Sequence, residues 1–88
     1  MPRYIIERAW TPLAAAELDA AGKRSVAVVD DMPGVVWIRS YISDIEGKIY
    51  CEYDAPNPEA IREHARCAGF PVDRIAEVSL EISPAMFR

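Results

Sequence analysis

The sequence is poor in the residues that most readily build a reactive site. It holds one histidine, His64, and two cysteines, Cys51 and Cys67, in 88 residues. A single imidazole excludes a histidine-rich metal site within one chain. Two cysteines are too few for a disulfide scaffold, and a Cys51–Cys67 bridge runs against the reducing compartment expected here. The four glycines are isolated, so no glycine-rich loop cradles a phosphate. There is also no Gly-x-Ser-x-Gly elbow and no Cys-x-x-Cys pair. No apolar run reaches the length of a membrane span. Met1-Pro2-Arg3-Tyr4 lacks the basic-then-apolar layout of a signal peptide, which makes the cytoplasm the expected location. Basic residues are scattered and the net charge is −4, so neither nucleic acid nor an anionic membrane surface is an expected partner. Repeats and low-complexity stretches are absent.

What is present is enough apolar residue, 51% of the chain, to argue against disorder. The length suits one domain, residues 1–88, and a domain of this size buries roughly 60–65% of its unfolded surface. Its stability margin is thin, and association with a second copy is the common remedy.

Tyr4 to Ala9 reads as a strand on its β-branched and aromatic content. Thr11-Pro12 offers a helix cap followed by proline at the first helical position. Ala14, Leu18, Ala21, Ser25 and Val28 then keep helical spacing. An alternative makes Ser25–Val29 a strand that turns at Asp30-Asp31-Met32-Pro33-Gly34; the unbroken stripe favours one long helix. Val35 to Ile42 is the clearest strand, with Val36, Ile38 and Ile42 on one face and Trp37, Arg39 and Tyr41 on the other. Asp44-Ile45-Glu46-Gly47 turns the chain, and Lys48 to Tyr53 returns as the hairpin partner. Asn57 and Pro58 begin a second helix, which Gly69 ends and Pro71 prevents from continuing. Arg74 to Ile82 reads as the last strand, with Ala76, Val78, Leu80 and Ile82 toward the helices. Residues 83–88 form a tail, whose Met86 and Phe87 suit docking on an apolar surface.

The order strand, helix, strand, strand, helix, strand is the split βαβ, ferredoxin-like pattern: an α+β domain, antiparallel, with both helices on one sheet face. The other face is expected to carry Glu7, Trp37, Arg39, Tyr41, Tyr50 and Glu52. Aromatic rings among charges suit a covered face, most simply covered by a second copy.

Three stretches in this chain resemble a known family: Arg39-Ser40-Tyr41 after a tryptophan, Tyr50-Cys51-Glu52-Tyr53-Asp54-Ala55-Pro56, and His64-Ala65 followed by Ala68 to Ile75. Together they look like the small domain-of-unknown-function family that includes a nickel-binding protein. The resemblance covers nearly the whole chain. It implies a homodimer whose two sheets pack as an α/β barrel, and it too favours the long first helix. The nickel-binding member carries histidines in its first strand, whereas this strand reads Glu7-Arg8.

Two constellations are candidate sites. His64 and Cys67, three apart near a helix end, with Cys51 approaching from the sheet and Glu63 adjacent, offer donors for nickel or zinc. The plainer alternative is two packing cysteines and a core histidine. Glu7 and Arg39 with Trp37, Tyr41 and Tyr50 offer a pocket on the uncovered sheet face, or an ion pair that fixes dimer register. The expected role is binding of a small ligand or metal ion by a homodimer. The alternatives are a cofactor-free dimeric-barrel enzyme of isomerase or monooxygenase type, in which Glu7 or His64 moves a proton and Arg39 holds an oxyanion, and a structural or regulatory dimer without a ligand.

Overall fold

Tyr4, Ile6 and Arg8 share one face of the first strand, and the first two of them place the core. In the computed structural model, which describes residues 1–88, β1 (Arg3–Ala9) is followed by α1 (Ala15–Asp30), β2 (Val36–Ser43), β3 (Lys48–Asp54), α2 (Pro58–Ala68) and β4 (Arg74–Val78). The sheet order is β2-β3-β1-β4 and all three pairings are antiparallel. This is the ferredoxin-like βαββαβ arrangement. Tyr4 and Ile6 of β1 and Cys51 and Tyr53 of β3 point to the helix side, where they are buried with Ile61 of α2. No helix is long and apolar enough to cross a membrane.

α2 is built by its ends. The Asn57 side chain accepts from the Ala60 N–H at 2.9 Å, Pro58 opens the helix, and Gly69 closes it at φ 77°. Ile61, His64, Ala65 and Ala68 form its buried stripe. α1 runs unbroken to Asp30, so Ser25–Val29 is helix and no extra hairpin forms. Its start differs from the expected Thr11-Pro12. The helix begins at Ala15, and the Glu17 carboxylate accepts from the Ala14 N–H. Trp10 holds the preceding segment elsewhere, with its backbone N–H on the Gly47 carbonyl and its indole N–H on Asp44, each at 2.9 Å. Those tethers outcompete the local cap signal.

Two strand faces also differ from the alternation read in the sequence. In β2, Trp37 pairs Tyr53 while Arg39 pairs Glu52, which leaves Ile38 as an extra residue in a bulge. A bulge inverts the alternation on either side of it. Val36 therefore lies on the open face, and Trp37 turns to the helix side. In β4, Ile6 pairs Ile75 and Tyr4 pairs Glu77. Ile75 and Glu77 thus face the helices, and the Tyr4 hydroxyl lies 3.3 Å from Glu77. Ala76 and Val78 lie on the open face. The strand stops at Val78, short of the expected Ile82, and Leu80, Ile82, Met86 and Phe87 are exposed.

Candidate functional site

The first half of α1 stands off the sheet. All residues from Thr11 to Ala20 are exposed, whereas Ser25, further along the same helix, is buried. Between that raised end and the sheet lies a cavity of about 280 Å³. Trp10, Leu18, Trp37, Ile42, Ile49 and Phe70 supply apolar and aromatic wall, and Arg8, Ser25 and Tyr53 supply the polar groups. Such a balance, apolar walls with a few converging polar groups, is the usual make-up of a small-molecule site.

Arg8 is the least expected member. It follows Tyr4 and Ile6 on the inward face of β1 and is 3% exposed. Its Nη1 donates to the Pro71 carbonyl at 2.7 Å, and its Nη2 has no partner. The guanidinium carbon lies 5.7 Å from the centre of the Phe70 ring, and Arg24 approaches the same ring at 5.3 Å. Arg24 in turn donates to the Ala68 carbonyl at 2.7 Å, closing the end of α2. The sequence did carry a signal for Arg8: a charged residue continues a strand face whose two preceding members are core residues.

His64 lies behind this wall. It is fully buried, its ring is tilted 58° against Tyr53 at 5.3 Å, and Nε2 is 3.3 Å from the Ser25 carbonyl. That carbonyl requires a protonated Nε2, so Nδ1 is left as an acceptor, and it has no partner. Burial pushes the imidazole pKa below its ordinary value; the Ser25 carbonyl opposes this and the Arg8 charge adds to it. Burial likewise raises the Tyr53 phenol, and Arg8 pulls it back.

The expected metal donors do not converge. His64 is on the buried stripe of α2, and Cys67 is exposed, its thiol 3.4 Å from Glu63. The helix turns 100° per residue, so a spacing of three sets them about 60° apart, with His64 inside the buried stripe of Ile61, Ala65 and Ala68 and Cys67 beyond its edge. Cys51 is buried in the sheet, and no group of three or more histidine, cysteine, aspartate or glutamate side chains could hold a metal ion. Arg66 donates to the Glu63 carboxylate at 3.0 Å and holds its pKa below the usual range.

The expected open-face pocket is also divided. Trp37 lines the cavity on the other side of the sheet. Glu7 pairs with Lys48, whose hydrogen bond holds the Glu7 carboxyl below its usual range. Arg39 pairs with Glu52 at 3.4 Å, and Arg3 reaches Asp54, Glu81 and Glu52 at 3.0, 2.9 and 3.5 Å. Tyr41 and Tyr50 are cross-strand neighbours, and the Tyr50 hydroxyl lies 3.2 Å from Glu46. Glu7 and Arg39 thus each pair with a different residue and do not meet.

The comparisons fit this fold. The chain resembles SCO4226 from Streptomyces coelicolor A3(2) with 26% identity and a TM-score of 0.79, over 91% of this chain and 99% of that one. It shares its fold with the protein YJCS, at 14% identity and a TM-score of 0.52, over 92% of this chain and 100% of that one. It does so too with a candidate antibiotic biosynthesis monooxygenase from Chloroflexus aurantiacus J-10-fl, at 16% identity and a TM-score of 0.53, over 93% and 94% of the two chains. No curated protein matches the chain. A model of the nickel responsive, SCO4226-like proteins matches residues 4–78, and the chain belongs to that family.

Proposed function

We propose that this protein binds a small organic ligand in the cavity between α1 and the sheet, and that it works as a homodimer in the cytoplasm. One observation carries the ligand reading: the raised first half of α1 leaves about 280 Å³ lined mainly by apolar side chains, including Trp10, Trp37 and Leu18. A small domain gains stability by filling such a space, so a space left beside its own core needs an occupant. The dimer reading is supported by the open sheet face. Val36 and Tyr41 are about half exposed there, and Ala76 and Val78 add to the same face. The apolar Leu80, Ile82, Met86 and Phe87 continue from its edge. Free Cys51 and Cys67 suit a reducing compartment.

The family is described as nickel responsive, which makes a metal ion the alternative occupant. The donors of this chain do not fit one: a single buried imidazole, one buried and one exposed thiol, and no three of its histidine, cysteine and carboxylate side chains grouped to hold an ion. The test is tryptophan fluorescence of the purified full chain, titrated with bicyclic aromatic compounds. Saturable quenching of Trp10 and Trp37 that is lost in the cavity-filling Leu18→Trp variant, followed by calorimetry because that variant adds a fluorophore, supports the reading. A cavity that takes up none of them leaves a dimer without a ligand.

A further inference from the structure

We infer that the ligand of this cavity is an organic acid: a small, apolar or aromatic body carrying one carboxylate that pairs with Arg8. This rests on the reading of the cavity as a ligand site and adds the chemical class of what enters it. The argument begins with the cost of burying charge. A guanidinium has five N–H donors and cannot lose its proton, so a buried arginine needs partners. Arg8 is 3% exposed, yet it makes no ion pair, and its one hydrogen bond goes to a neutral carbonyl. Its Nη2 has no partner at all. Of the other three arginines on this sheet, Arg3 and Arg39 have carboxylates, and Arg74 is exposed on the open face, opposite Glu7 in the register. Arg8 alone lies on the inward face, and it lines the cavity.

The charge is also held in place rather than merely buried. Nη1 is fixed on Pro71, and the guanidinium sits over Phe70, a favourable arrangement for a cation on a ring face. Locked rotamers of this kind are what a recognition group requires. Ser25 of α1 and Tyr53 of β3 also line the cavity and add hydroxyl groups able to bond a second carboxylate oxygen. Trp37, Ile42 and Ile49 on the sheet, and Leu18 on α1, supply apolar wall that selects an apolar body. The volume lies just below the roughly 300–1,000 Å³ of ordinary ligand sites, which suits one ring or two fused rings. A bare inorganic anion would leave the apolar walls uncovered, and a neutral hydrocarbon would leave Arg8 without a counter-charge.

The test compares 1-naphthoate with 1-naphthamide, its neutral isostere, and with acetate, which lacks the apolar body. Calorimetric titration of the wild-type full chain is expected to give at least tenfold tighter binding of naphthoate than of naphthamide, and no saturable binding of acetate. In Arg8→Met, naphthoate is expected to fall to the level of naphthamide. The acid-to-amide comparison needs no variant, so it stands even if Arg8→Met does not fold. Equal binding of acid and amide overturns the inference and leaves the cavity as an apolar ligand site. Failure of both up to millimolar concentration overturns the inference together with the ligand reading on which it rests.

Discussion

Arg8 Nη1 donates to the carbonyl oxygen of Pro71 at 2.7 Å, which ties the end of β1 to the turn after α2. The bond crosses 63 residues of sequence and fixes a cationic group inside the fold. Its contribution to stability is nevertheless small. The bond is worth about 1 kcal/mol, and the buried charge costs a comparable amount or more to desolvate. Arg8→Met is therefore expected to change unfolding free energy by no more than about 1 kcal/mol in urea titration. A loss above about 3 kcal/mol would mean that Arg8 is a structural element of the core.

His64 sets the acid side of the stability profile. Its pKa is lowered in the folded protein, mainly by burial, and in the unfolded chain it returns to about 6.5. Just below that pH the unfolded state binds more protons than the folded one, so stability falls as pH decreases. The contribution is fully present above about pH 6.5 and is lost as pH falls toward the lowered folded value. Glu7, Asp54 and Glu63 also have lowered pKa values, but their losses come in the carboxylate range near pH 4. Urea midpoints between pH 7.5 and 5.5 are expected to fall in the wild type and to stay nearly level in His64→Gln. An equal slope in both would assign the effect to another group.

Gly69 ends α2 in the left-handed region at φ 77°, ψ 33°, and no atom lies within 4 Å of the place a Cβ would occupy. The cost of Gly69→Ala is then conformational, about 1 kcal/mol, and thermal unfolding should show it as a fall of several degrees. Gly69→Asn should lose less, since asparagine tolerates this conformation better. An unchanged midpoint in Gly69→Ala would contradict the assignment.

Tyr41 is 58% exposed on the open sheet face beside Tyr50. If that face is the dimer contact, Tyr41→Glu places an unpaired carboxylate in it and shifts the protein toward monomer at micromolar concentration. Light scattering after size exclusion reads this directly. A wild-type monomer, or a variant that stays dimeric, would remove the sheet face as the contact.

Nickel gives the sharpest contrast with the family's description. Untagged protein exposed to nickel or zinc and then dialysed is expected to retain well under one ion per chain, because its donors do not converge. Retention of one ion per chain, lost in His64→Ala, would restore His64 as a metal ligand.

The elements that local chemistry decides were legible in the sequence. Asn57, Pro58 and Gly69 bound α2, and the turn at Asp44–Gly47 joins β2 to β3. What escaped depends on tertiary pairing. Ile38 looks like any strand residue, yet it is the bulge that turns Trp37 to the helix side. The alternation Ala76, Val78, Leu80, Ile82 marks an apolar face correctly but belongs to the open side, because β4 pairs Ile75 with Ile6. Thr11-Pro12 is a sound cap signal that the tethers of Trp10 override. The candidate site moved for the same reason. Glu7 and Arg39 drew attention as a pair on the open face, while Arg8, one residue along β1, is the charge that is actually buried.

The central claim is that the cavity beside Arg8 holds a small organic molecule. A crystal structure of the full chain grown with 1-naphthoate tests it most directly. The account predicts ordered density between Trp37 and Arg8, with a carboxylate oxygen within hydrogen-bonding distance of Nη2. Density elsewhere on the molecule, or a cavity filled by the chain's own side chains with naphthoate absent, would contradict it.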